Sequence, residues 1–191
     1  MRKIQTKEQQ KRKERFNQII IGLILVSLMV MSTLGYSLMS KSTEQKSQKK
    51  IIYNGLEFIE TSGFWTLSIN QFKFSFKYNP KEVNKSDFNL SYLDKYYSKP
   101  LYIKSEDSDS TNEIYRNLNE IVLRMQPACL NKSDCSGDYP IKNCSNNFII
   151  IQESNISDIK QTKNCVFIQG KKQDLVKQTD EFLFKIIGVE G

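Results

Sequence analysis

Twenty-one consecutive residues, Ile19 to Met39 (IIIGLILVSLMVMSTLGYSLM), carry no formal charge. A helix of that length reaches roughly 32 Å at 1.5 Å per residue, close to the hydrocarbon thickness of a bilayer. A soluble helix would be shorter and would show polar positions along one face, so the stretch predicts a transmembrane helix. A cleaved secretory signal also joins a basic start to an apolar run. Against it stand a run longer than the usual length of about 7–15 residues and the lack of an A-x-A cleavage site. Thr33, Gly35 and Ser37 keep cleavage open as the alternative.

Charge gives the span a direction. Seven of the 28 basic side chains lie in residues 1–15 (Arg2, Lys3, Lys7, Lys11, Arg12, Lys13 and Arg15), against Glu8 and Glu14 alone of the 21 acidic ones. The other 176 residues hold 21 basic and 19 acidic side chains, so little of the +7 total belongs to them. Lysine and arginine collect on the cytoplasmic side of a span, whereas only Lys41, Lys46, Lys49 and Lys50 follow this one. The expected layout is a basic cytoplasmic tail (1–18), a transmembrane helix (19–39), a polar stalk (40–50) and an extracytoplasmic domain (51–191). A nucleic-acid-binding domain would spread its basic charge over a folded face. Here the excess sits in one tail, and no nucleic-acid partner is expected.

The chain has no histidine. Ser-His-Asp and Cys-His catalysis and His-based metal sites are thereby removed. No cofactor fingerprint is present, and no cofactor or metal is expected.

Beyond the stalk, Leu56–Thr61 and Phe64–Ile69 read as strands, the second with Trp65, Leu67 and Ile69 on one face. In Phe72 to Tyr78 the aromatics Phe72, Phe74, Phe76 and Tyr78 alternate with Lys73, Ser75 and Lys77, the period of a half-buried strand. Residues 81–99 show no regular spacing. Leu101–Lys104 is a short strand. Ser110-Thr111-Asn112-Glu113 has the capping-box pattern, and Ile114, Leu118, Ile121, Val122 and Met125 recur behind it at helical spacing until Pro127. Phe148–Gln152 (FIIIQ) and Cys165–Gln169 (CVFIQ) are apolar runs of the buried-strand type. A last helix runs from about Gln173 to Ile187, with Leu175, Val176, Thr179, Phe182, Leu183 and Ile186 inward and Gly188 as its cap. The order predicts an α+β fold, a mixed sheet with two helices packed on one face.

Cys129, Cys135, Cys144 and Cys165 all follow the span. They form neither the C-x₂₋₄-C pairs of a zinc site nor the C-x-x-C of a redox motif, so two structural disulfides are expected in an oxidising compartment. Four cysteines allow three pairings. Cys129 and Cys135 share a loop, which favours 129–135 with 144–165. A direct hairpin would hold Cys144 and Cys165 roughly 17 Å apart, beyond the reach of about 7 Å that a disulfide allows. That pairing therefore requires residues 153–164 to cross over and leave the two strands parallel. The sequons at Asn84, Asn89, Asn131, Asn143 and Asn155 mark candidate glycosylation sites on an outward domain.

The functional expectation is a single-pass, membrane-anchored extracytoplasmic binding or assembly module, not an enzyme. Its partners would be the lipid bilayer, through residues 19–39, and a protein of the membrane or envelope. The alternatives are a structural envelope component or a His-free hydrolase using paired carboxylates. For the latter, Asp107 with Asp109, or Glu57 with Glu60, are the nearest candidates.

Overall fold

The computed structural model describes residues 7–41, 49–84, 88–133, 135 and 137–189. The chain divides into two compact units, residues 1–47 and 48–191.

The first unit contains one helix, α1 (Lys7–Lys41). Lysine, arginine, glutamate and glutamine are good helix formers, so the helix begins within the expected basic tail rather than at the apolar run. At its other end it takes in Ser40 and Lys41. Residues 1–6 of the tail and 42–48 of the stalk lie outside the described residues, and Lys50 already belongs to a strand. The stretch Arg15–Ser32 has a mean hydropathy of 1.7, none of it is buried, and the helix is long and apolar enough to cross a membrane.

The second unit is α+β. Four strands, β1 (Lys50–Tyr53), β2 (Leu56–Thr61), β3 (Phe64–Ile69) and β4 (Phe72–Phe76), form an antiparallel meander. Asn54-Gly55 and Ser62-Gly63 turn the first two corners, all four residues with φ between 48° and 81°. Such left-handed pairs match the twist of the strands they join. Strand β1 is an addition to the expected set, and its signal, the Asn-Gly pair, stands in the sequence. On the free side of β4, the Asn117 side chain accepts from Ser75 N at 2.7 Å and donates to Ser75 O at 2.9 Å.

The other sheet is mixed, in the order β6-β5-β7-β9-β8. Its strands are β5 (Pro100–Ser105), β6 (Arg124–Pro127), β7 (Asn147–Glu153), β8 (Asp158–Thr162) and β9 (Cys165–Gly170). All pairs are parallel except β8 with β9. Two helices, α2 (Ser108–Leu118) and α3 (Leu175–Ile186), complete the unit. Along β5 and β7, Leu101, Ile103, Ile149 and Ile151 join one core with the helices and the meander. Tyr102, Phe148 and Ile150 point the opposite way and pack with Ala128, Cys165, Leu130 and Cys144, under the cysteine-bearing loop. The helices thus cover one face of the mixed sheet, and the meander covers the helices. Phe184 of α3 lies 4.4 Å from the Phe76 ring and 5.9 Å from that of Phe58, centroid to centroid. Flanked on both sides, α3 buries nine of its twelve residues, including Gln178, Asp180, Glu181 and Phe184 beyond the expected stripe.

Helix α2 departs from its expected limits. Its cap is Asp107 rather than Ser110: Asp107 Oδ2 accepts from Ser110 N at 2.7 Å. It ends at Leu118, and Met125 lies in β6 opposite Leu101. The apolar spacing runs on because Ile121 and Val122, in the turn behind the helix, are buried in the same core. Helix α3 ends as expected, with Gly188 at φ 78°. Gly188 N donates to Lys185 O, and Val189 N to Phe184 O, the paired bonds of a Schellman motif.

Candidate functional site

Parallel strands align their carboxyl ends, and open α/β sheets bind ligands where neighbouring connections leave in opposite directions. Here β5 leads through α2 to β6 on one side, while β7 leads towards β9 on the other. Two clefts include residues beyond the end of β5. The first, of about 540 Å³, has Lys104, Glu106, Tyr115, Cys129 and Tyr139 among its lining residues. The second, of about 470 Å³, is bordered by Phe64, Lys77, Asp107, Asp109, Glu113 and Arg116, with Lys172 and Gln173 ahead of α3.

Beneath the second cleft lies a carboxyl pair, Glu113 of α2 and Asp180 of α3, 3% and 0% exposed. Arg116 donates to Glu113 Oε1 at 2.6 Å and its guanidinium lies 4.2 Å from the centre of the Phe64 ring. Asp180 Oδ2 accepts from Tyr78 N at 2.8 Å. The remaining oxygens, Glu113 Oε2 and Asp180 Oδ1, are buried and have no close hydrogen-bond partner among the described residues, although the Lys77 N–H also faces the Asp180 carboxyl. The two carboxyls are, however, within hydrogen-bonding reach of each other. Burial holds Asp180 well above the usual carboxylate range, and the negative charge of Glu113 adds to that. Burial also raises Glu113, against the opposing pull of Arg116.

Of the carboxylates singled out from sequence, Asp107 and Asp109 do line this cleft, Asp107 as the helix cap. Glu57 and Glu60 do not. They form ion pairs on the meander with Lys50 at 3.0 Å and Lys49 at 3.6 Å. The Glu113–Asp180 pair escaped the sequence reading. Its one local signal is the acidic Asp180-Glu181 step set between inward-facing Thr179 and Phe182 on α3. Among the described residues, no group of three or more acidic or cysteine side chains is placed to hold a metal ion.

The cysteines form two bonds, Cys129–Cys135 with Cα atoms 5.6 Å apart and Cys144–Cys165 at 4.9 Å. Strands β7 and β9 run parallel with Phe148 opposite Cys165, so Cys144, ahead of β7, meets the start of β9. The crossover that this needs contains β8, which folds back along the outside of β9. Cys129 lines the first cleft, so the shorter bridge shapes that wall. All five sequon asparagines are exposed and lie outside helices and strands, although Lys85 and Ser86 of the first sequon fall outside the described residues.

The fold and its clefts define the chain as an α+β domain following an apolar helix. No family model matches it, and no curated protein or solved structure matches it either.

Proposed function

We propose that the chain is a single-pass membrane protein, its basic end in the cytoplasm and its α+β domain outside the membrane as a binding or assembly module. The observation that carries the reading is helix α1, whose side chains between Arg15 and Ser32 are unburied and, from Ile19 onward, predominantly apolar. Such a surface is at home in hydrocarbon. The lysine and arginine bias of residues 1–15 supports the orientation, and two cystines suit an oxidising space. The clefts at the end of β5, together with the exposed sequons, support a domain that meets partners or ligands on the outer side.

The test is protease added to intact cells or spheroplasts, combined with alkaline extraction of the membranes. The expected outcome is a membrane-embedded chain digested beyond about Ser40 with residues 1–15 protected. Protection of the domain instead, or a soluble form beginning near Tyr36 or Leu38, would sink the reading. Crosslinking in native membranes then identifies the neighbour. Recovery of the chain without any crosslinked protein would leave the clefts to a small ligand.

A further inference from the structure

Two buried carboxyls in contact cannot both carry charge at low cost, since each taxes the other across a medium of low dielectric. At Glu113 and Asp180 the two oxygens without a close partner belong to the two different acids. One proton satisfies both: Asp180 Oδ1–H donates to Glu113 Oε2, and neither oxygen is left alone. The second oxygen of each acid is committed elsewhere, Glu113 Oε1 to Arg116 and Asp180 Oδ2 to Tyr78 N, and the Lys77 N–H favours the ionised form of Asp180 against the larger effect of its burial. The pair thus ties three pieces of chain, namely α2, α3 and the segment leaving β4.

We propose that Glu113 and Asp180 hold one proton between them, and that this shared proton is a pH-sensitive latch joining α2, α3 and the exit of β4. The charged groups facing it are Arg116 from α2 and Lys77 beyond β4. From the meander, Phe64 lies under the guanidinium, and β9 presents the apolar Val166 and Ile168 to the same core. Lys77, Tyr78, Glu113 and Arg116 all line the second cleft, so release of the latch loosens a wall of that cleft.

The direction follows from linkage. Both acids are raised in the folded state, so the folded chain holds a proton that the unfolded chain gives up near its ordinary value of about 4. The stabilisation is complete below that value and is lost as the pH rises through the folded-state value. The proton leaves to solvent, and two adjoining negative charges remain.

The experiment uses the full chain in detergent, with thermal unfolding followed from about pH 4 to about pH 9, across the window that linkage sets. Asp180→Asn keeps an acceptor for Tyr78 N and offers Glu113 a permanent N–H donor. Its midpoint is expected to lose most of the wild-type fall at high pH and to lie above wild type there. Infrared spectroscopy of the wild type at neutral pH is expected to show a protonated carboxyl band that is absent from Asp180→Asn. The same pH dependence in wild type and Asp180→Asn overturns the proposal. So does the lack of a protonated carboxyl in the wild type, a reading that stands even if the variant does not fold. Glu113→Gln, which also removes the second charge, is expected to flatten the same profile; an unchanged slope in a folded Glu113→Gln variant counts against the latch.

Discussion

Replacing Cys144 and Cys165 together by alanine opens a loop whose ends are 21 residues apart, whereas replacing Cys129 and Cys135 opens one of 6. In the chain-entropy model the larger loop contributes about 3 kcal/mol and the smaller about 2 kcal/mol. Loss of the buried sulfur is common to both, since Cys165 and Cys129 are 0% and 3% exposed. The difference between the variants is therefore that of the loops, about 1 kcal/mol. For a domain of this size that is about 3 °C in the melting midpoint, within total falls of roughly 10 °C and 7 °C. Thermal unfolding of the two double variants beside the wild type supplies the comparison. Thiol labelling under denaturing conditions checks the starting state, with four groups expected only after reduction. A midpoint lower for the Cys129/Cys135 variant than for the Cys144/Cys165 variant would refute the loop reasoning. It would place the main contribution in the packing of the first cleft's wall.

Two further substitutions probe the packing of α3 and α2. A Cβ at Gly170 would run into the side-chain amide of Gln178, and Gln178 is only 3% exposed. Gly170→Ala is therefore expected to cost about 1–3 kcal/mol. Denaturant unfolding should show the penalty shrinking when Gln178→Ala is already present. Asp107→Ala removes the cap of α2 and is expected to cost about 1 kcal/mol; a melting midpoint unchanged from wild type would assign capping to another group.

The elements legible in the sequence are those with a strong local period. Phe72 to Phe76 alternates as it does in β4 because only one face of that strand is buried. FIIIQ and CVFIQ lie in strands covered on both faces, and α3 stands at its expected place. The strands that escaped are short or lie at a sheet margin. β8 (DIKQT) has a single buried position, Ile159, too few to set a period. β6 (RMQP) continues the apolar spacing of the helix before it, so Met125 reads as one more helical turn. Alternation assigns a residue to a face but not to a sheet, and the division into meander and mixed sheet is accordingly a tertiary fact. Glu113 and Asp180 come together only through the packing of α2 on α3, which no local spacing encodes.

The bonds from Asn117 to both backbone groups of Ser75 have a consequence for assembly. At the margin of an antiparallel sheet these two groups ordinarily offer a docking template to any passing strand. In β4 a helix side chain already occupies that template. At the far margin of the mixed sheet the Gln161 side chain of β8 accepts from Ser91 N and donates to Ser91 Oγ, which ties the segment ahead of β5 to that edge strand. Pro127 removes a donor from β6 at the opposite margin. A β4 edge occupied from within, and a β6 edge with one donor fewer, are poor places for a neighbouring copy to add a strand to this domain.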